Sequence, residues 1–370
     1  MKYEVIIVKD IFNILDLIEV TLSSDDIRQS DMFDELQELQ IYYLDEVFKV
    51  LLQKIDDVNK PNFEFANLAI EVLRRVNRYS KLYAEPLIIE FDEIEKKGLD
   101  DDLFKSNRSD KYELLKQVKG IEVANDIFKK SMFLHISKKY ERYITASFDA
   151  FMNNTIDVAY TLLRMPYFDL QFYIERFVCE PDELLGDILN KNPMEYDYIS
   201  RYKRDDKKKS KIRQVISDSF KCVHKIDMDD KLLDDMYALR FDNESDMSML
   251  NIIQKSNHLI TTSPTGASGI SELNFAFLGD EEVVRPLADY YLVLACNILR
   301  TSITYIYYVF RNTIALKEGI KRGKISEFLV GMTKQLRNQF IENGATEEDI
   351  NTMLQELESR EESEETKRNM

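Results

Sequence analysis

The chain has 370 residues, of which 44% are hydrophobic and 32% charged, a composition typical of globular proteins rather than disordered chains. Its formal net charge of -17 repels nucleic acid and anionic membranes and argues against a protein that coats DNA. Only 10 glycines and 7 prolines are present, so the turn residues that all-β folds need are scarce. These numbers predict an all-α protein.

The N-terminal quarter of the chain predicts a helical unit over residues 1–95. The opening run MKYEVIIVK alternates apolar and polar residues and is the one short stretch typical of a strand. The charged residues Glu4, Lys9, Asp10, Asp16 and Glu19 do not fit a secretion signal. Residues 32–55 carry an apolar stripe at helical spacing. A second stripe over residues 62–83 is expected to end before Pro86, because the residue before a proline is pushed out of helical geometry.

The polar stretch 96–112 marks a predicted boundary, and the main helical domain is predicted over residues 113–343. An apolar stripe from Phe148 to Leu163 ends at Pro166, and Pro181 with its acidic neighbours indicates a helix start. A terminal helix is predicted over residues 346–357 and a disordered acidic tail over 358–370. The predicted fold is a multi-helix, bundle-like body with at most one or two short strands.

Residues 286–310 are apolar enough to suggest a membrane span, but Asp289, Asn297 and Arg300 would then lie inside the bilayer. A buried core helix is therefore the preferred interpretation, and no membrane association is predicted. The three cysteines have no CxxC spacing, which is typical of free thiols in a reducing compartment. A cytoplasmic location is expected.

Residues 201–213, RYKRDDKKKSKIR, hold eight basic residues against two acids and form a predicted exposed basic segment. Its candidate partner-binding residues are Lys203, Arg204, Lys207, Lys208, Lys209 and Lys211. The segment would contact an acidic protein surface or RNA, and it is the only part of the chain where nucleic-acid binding is expected. The alternative is a solvated loop that keeps the chain soluble.

The usual catalytic signatures are missing from the sequence: it contains no GxxxxGK[ST], GxGxxG, HExxH or GxSxG motif. Its three histidines have no second ligand at metal spacing, although Cys222 lies two residues before His224. Carboxylates are too numerous for a general acid and base to be singled out. No cofactor and no metal is predicted, and a non-enzymatic protein is favoured.

The candidate ligand site consists of polar residues that lie within apolar stretches of predicted helix. A buried arginine needs a carboxylate to offset its desolvation, and nearby acids and a long Thr-, Ser- and Gly-rich loop predicted over residues 256–279 can supply partners. The candidates are Arg164, Glu175, Arg240, Asp242, His258 and Glu272. They form either a ligand site or a structural network, and the structural network is the favoured interpretation.

Four stretches carry a resemblance to a group of uncharacterised helical bacterial proteins. They are AYTLLRMPYFDLQFYIERFVCEPDEL (159–184), YALRFDN (237–243), NHLITTS (257–263) and ELNFAF (272–277). The resemblance covers roughly residues 120–310. It implies a bacterial origin and a helical fold, and it carries no activity.

Three functional hypotheses remain open from the sequence. The leading one is a non-enzymatic helical interaction protein, with a protein partner or a second copy of itself, in a bacterial defence, stress or toxin-neutralising assembly. The second is a small-molecule or nucleotide sensor that uses the region of Arg240 and His258. The third is a metal-independent ribonuclease that resembles the HEPN family, or a degenerate relative. In that family an arginine is followed after four to six residues by a histidine on the same helix. Arg311 and Asn312 resemble the start of this motif, but Leu316 and Lys317 stand where its histidine is expected.

Overall fold

The computed structural model describes residues 2–22, 32–53, 63–98, 108–191, 206–241 and 281–315. Every regular element in these ranges is a helix, which confirms the predicted all-α class. The chain divides into two compact units, one made of Met1–Leu52 with Lys317–Met370 and the other of Gln53–Leu316. The loop predicted over residues 256–279, the terminal helix of 346–357 and the tail of 358–370 lie outside the described residues.

The first unit contains α1 (Lys2–Leu22) and α2 (Met32–Gln53). The short strand predicted for MKYEVIIVK is wrong, because these residues continue into a helix that buries Ile11, Leu15, Ile18 and Leu22 at helical spacing. Alternation over nine residues is too short a pattern to outweigh that longer period. In α2 the predicted helical stripe is confirmed by the buried residues Leu36, Leu39, Tyr43, Val47 and Leu51.

The second unit contains the remaining helices. In chain order they are α3 (Phe63–Gly98), α4 (Arg108–Lys119), α5 (Ile121–Met152), α6 (Ile156–Arg164), the π-helix π1 (Met165–Leu170), α7 (Gln171–Cys179), α8 (Pro181–Asn190), α9 (Asp206–His224), α10 (Asp230–Phe241), α11 (Glu281–Val309) and the π-helix π2 (Phe310–Ile314). The helix start predicted at Pro181 is confirmed. The helix end predicted before Pro86 is wrong, since α3 continues to Gly98.

The centre of the second unit forms where helices distant in the sequence meet. Helix α5 packs against α3, α4 and α6, while α7 packs against α9 and α11. The residues that α7 buries lie all round the helix: Gln171, Phe172, Ile174, Glu175, Arg176 and Phe177. Helix α7 is therefore a central helix, and its polar side chains lie in the protein interior rather than at its surface.

Helix α11 also lies in this core and packs against α3, α6, α7 and α9. Among the described residues one stretch, Ala288–Ile314, is long and apolar enough to cross a membrane by length and composition, and 61% of its most apolar window is buried inside the protein. Tyr291, Ala295, Leu299 and Ile306 are fully buried there. This burial agrees with the core helix predicted from the sequence.

The chain between α5 and α7 is irregular. The predicted stripe from Phe148 to Leu163 is interrupted at Asn154, which adopts a positive φ of 58°, and a new helix begins at Ile156. Pro166 then lies inside π1 rather than at a helix end. Proline has no backbone N–H and crowds the carbonyl four residues earlier, so a wider helical turn accommodates it. Residues Met165–Leu170 consequently carry Tyr167 into the core next to α7.

Candidate functional site

Three buried polar side chains of α7 form the starting point of the candidate site. Gln171, Glu175 and Arg176 are 2%, 1% and 0% exposed, although each carries hydrogen-bonding groups that are costly to bury without partners. Gln171 and Glu175 are four residues apart and share one face of the helix, whereas Arg176 lies on another. The two faces lead to two separate polar clusters.

The first cluster joins α7 to α10 and α11. Arg240 Nη1 donates to both carboxylate oxygens of Glu175, at 2.7 and 2.9 Å. Gln171 Nε2 donates to Glu175 Oε1 at 3.0 Å, and Ser302 Oγ donates to Gln171 Oε1. We call these four residues the Glu175 cluster. Because Glu175 accepts three hydrogen bonds and faces a guanidinium, its negative charge is well compensated in the interior.

Two aromatic rings contact the cation of this cluster. The guanidinium carbon of Arg240 lies 5.8 Å from the ring centroid of Tyr167 and 4.9 Å from that of Phe241. Burial raises the pKa of the Tyr167 hydroxyl far above its ordinary value, so Tyr167 is neutral at physiological pH. The rings therefore stabilise Arg240 through their π electrons and do not supply a second negative charge.

Arg240 has unused hydrogen-bonding capacity. The residue is 4% exposed, and no acceptor among the described residues meets its Nε or Nη2 atoms. Buried donors of this kind are uncommon, because each unsatisfied group costs about 1–3 kcal/mol. The Glu175 cluster thus satisfies one end of the guanidinium and leaves its Nε–Nη2 edge without a protein acceptor in the part of the chain that the structure describes.

The second cluster is a set of ion pairs centred on Arg176. Arg176 donates from Nε to Glu180 and from Nη2 to Asp187, the latter at 2.7 Å. Lys211 reaches Glu180 and Glu183 from α9. Burial alone would lower the pKa of the Arg176 guanidinium, but the hydrogen bonds to Glu180 and Asp187 more than offset it and raise that pKa. This cluster ties α7, α8 and α9 together.

The predicted ligand-site residues divide into three groups in the structure. Glu175 and Arg240 are brought together in the Glu175 cluster. Arg164, expected to be buried, is instead exposed at the last position of α6, since the neighbouring Leu163 occupies the inward-facing side. Asp242, His258 and Glu272 lie outside the described residues.

The basic segment is only partly described. Lys203 and Arg204 lie outside the described residues, and from Asp206 onward the segment forms the start of α9 instead of a loop. Lys207 and Lys209 are exposed, and Lys208 is half-buried. Lys211 is half-buried in the second cluster, where its hydrogen bonds to Glu180 and Glu183 raise its pKa despite burial, which alone would lower it.

The structure offers no activated cysteine at α7. Burial and the nearby Glu180 carboxylate raise the pKa of the Cys179 thiol, which donates to the Glu175 carbonyl at 3.3 Å. A thiol must ionise to act as a nucleophile, so Cys179 is inert at physiological pH. Within the described ranges no three His, Cys, Asp or Glu side chains are grouped as a metal ion would require.

A different kind of surface lies on α10. Leu232 and Leu239 are 40% and 49% exposed, and Met236 between them is partly exposed. These residues follow the i, i+4, i+7 spacing of a single helix face. The opposite side of α10 is held by Arg213 of α9, which pairs with Asp234 and lies over the ring of Tyr237. We call Leu232, Met236 and Leu239 the outer face of α10.

Sequence reasoning missed Gln171 and Ser302 as members of the first cluster and Tyr167 as a ring that contacts its arginine. The one local signal was Gln171 four residues before Glu175, a spacing that places both on one helix face. Ser302 lies 131 residues from Gln171 and could not be placed without the tertiary structure.

No protein-family model matches the chain, and no curated protein or solved structure shows significant similarity to it. Its function is therefore inferred from its own residues.

Proposed function

We propose that this chain is a non-enzymatic helical interaction protein that inserts the outer face of α10 into an apolar groove of a protein partner. The observation that carries the proposal is the exposure of Leu232, Met236 and Leu239 on one side of a helix whose other side is anchored. An amphipathic helix that enters a groove is recognised through anchors at this spacing.

Exposure of these apolar side chains to water is unfavourable in free energy, and burial in an interface would remove that penalty. Complete burial of a fully exposed leucine is worth about 1.5–3 kcal/mol, and Leu232 and Leu239, 40% and 49% exposed, would each supply roughly half of that. Methionine also adapts to the shape of the surface it meets. The helix is flanked by the exposed acids Asp229, Asp230 and Asp235. A groove with a basic rim would complement them and accelerate association.

The polar interior supports a binding role over a catalytic one. Cys179 stays protonated, and Glu175, Arg176 and Asp187 are engaged in ion pairs that hold helices together. The three free cysteines suit the reducing cytoplasm, where we place the protein. We further propose a bacterial defence, stress or toxin-neutralising assembly as its setting, since an acidic, helical binding protein suits such assemblies.

The test compares two double variants of the full chain. Leu232→Asp with Leu239→Asp places charges on the outer face, whereas Val118→Asp with Ile121→Asp changes two residues of similar exposure, 53% and 54%, elsewhere in the second unit. Proteins that co-purify with each tagged form are quantified by mass spectrometry, and light scattering reports self-association. We expect the partner to be retained by the control and lost from the α10 variant.

Equal recovery of every specific partner by both variants would show that α10 is not the interface. A mass that falls from dimer to monomer only in the α10 variant would identify the partner as a second copy of the chain.

A further inference from the structure

Among the described residues, the guanidinium of Arg240 is engaged at Nη1 and not along its Nε–Nη2 edge. Nη1 donates to Glu175 at 2.7 and 2.9 Å. Nε and Nη2 together form the side-on edge, whose two parallel N–H groups are suited to bidentate recognition of a pair of acceptors. Both atoms are buried, and no described residue accepts a hydrogen bond from them.

The position of this edge is set by a chain of contacts from three helices. Glu175 holds Nη1, Gln171 holds Glu175, and Ser302 holds Gln171. Such support keeps a binding group oriented before a ligand arrives, which reduces the entropic cost of binding. Tyr167, whose ring lies beside the guanidinium, is carried by π1, and single-turn π-helices often occur at functional sites.

The charge of the surroundings decides which class of ligand suits the edge. An arginine edge usually suggests a carboxylate or a phosphate. Here Glu175 already balances the charge of Arg240, so an oxyanion would add a negative charge beside a buried pair that is already neutral. The net charge of -17 opposes an anion further. An uncharged group with two acceptors satisfies the same N–H groups without that penalty.

We propose that the Nε–Nη2 edge of Arg240 binds an uncharged, planar group that carries two adjacent hydrogen-bond acceptors, the chemistry of the O6–N7 edge of a guanine base. Arginine recognises this edge bidentately in nucleic acids. The rings of Tyr167 and Phe241, 5.8 and 4.9 Å from the guanidinium carbon, make the surroundings of Arg240 apolar. This site is separate from the outer face of α10 and does not depend on the partner proposed there.

The first test uses the wild-type full-length chain and a series of uncharged nucleosides in titration calorimetry. Guanosine should bind. The analogue 7-deazaguanosine lacks the N7 acceptor and should bind about tenfold more weakly, as expected for the loss of one bond of a bidentate pair. Adenosine presents an amino donor in place of O6 and should show no measurable binding. Sodium acetate, the oxyanion probe, should also fail to bind.

The second test changes the edge itself. Arg240→Lys keeps the positive charge that pairs with Glu175 but removes the two parallel N–H groups of the guanidinium. Guanosine affinity should therefore fall about tenfold or more. Arg74→Lys on α3 changes an arginine that is 43% exposed and should leave the affinity unchanged. If Arg240→Lys does not fold, the nucleoside series on the wild type still decides the matter.

Three outcomes would overturn the proposal. A lack of heat with guanosine would mean that solvent or the chain itself satisfies the edge. Equal affinity for guanosine and adenosine would mean that the edge is not what selects the ligand. Binding of acetate in preference to guanosine would mean that the site takes an oxyanion.

Discussion

Glu175 of α7 and Arg240 of α10 lie 65 residues apart in the sequence and meet in the interior, where Arg240 Nη1 donates to both oxygens of the carboxylate at 2.7 and 2.9 Å. The two residues are 1% and 4% exposed. Taking either charge out of water alone would cost several kcal/mol, so each depends on the other for its place in the core. The pair thereby fixes the end of α10 against the central helix.

Replacing Glu175 with Gln should destabilise the protein by about 3–5 kcal/mol, because the charge of Arg240 then stays buried without compensation. Urea unfolding at pH 7 measures the loss. Glu183→Gln, at a carboxylate that is 52% exposed, serves as the control and should cost less than about 1 kcal/mol.

The double variant Glu175→Met with Arg240→Met should recover most of this stability, since an apolar pair of similar volume removes both buried charges. A single variant as stable as wild type would show that the pair does not stabilise the core.

Asp187 should make stability fall at acid pH. Burial alone would raise the pKa of its carboxyl, but hydrogen bonds from Lys191 and Arg176 hold that pKa below its ordinary value. The unfolded chain therefore binds the proton more readily, so the stabilisation is complete above an ordinary pKa of about 3.9 and is lost as the pH falls through the lower folded value. Asp187→Asn should cost about 2 kcal/mol at pH 7, where a charged hydrogen bond to Arg176 is lost.

Chemical denaturation at a series of pH values from 7 to 3 checks this expectation. The difference in unfolding free energy between wild type and Asp187→Asn should stay constant down to about pH 5 and shrink below about pH 4. A difference that grows in acid would contradict the assigned direction of the pKa shift.

Ser147 should matter more than the tyrosine to which it is bonded. Its hydroxyl donates to the Ala159 carbonyl at 2.6 Å and shares a second 2.6 Å hydrogen bond with the Tyr291 hydroxyl. Ser147→Ala leaves two buried groups without their partner and should cost about 1–3 kcal/mol. Tyr291→Phe removes one hydroxyl while Ser147 keeps its bond to Ala159, and should cost about 1 kcal/mol or less.

Thermal unfolding of the two variants side by side gives the ranking directly. A larger loss of melting temperature for Tyr291→Phe than for Ser147→Ala would contradict the role of Ser147 as the shared partner.

Helical periodicity can be predicted from the sequence because it is a local property. The stripe in α2 and the start of α8 at Pro181 depend on residues a few positions apart, and both were predicted correctly. The same local reasoning was wrong for MKYEVIIVK and for the end of α3. A short alternating run and an isolated proline were each outweighed by the longer helix around them.

The candidate site shows which contacts cannot be predicted from neighbouring residues in the sequence. Arg164 and Arg240 both follow apolar residues in predicted helices, and this context predicts burial for both. Only Arg240 is buried, because the side of a helix that faces the core is decided by the helices packed against it. Desolvation alone predicts that a buried arginine needs an acid, and Glu175 is one of the acids that the sequence offers. The placement of Ser302 and Tyr167 around the pair depends on the tertiary fold, since Ser302 lies 131 residues from its partner Gln171 and the ring of Tyr167 contacts Arg240 of a distant helix.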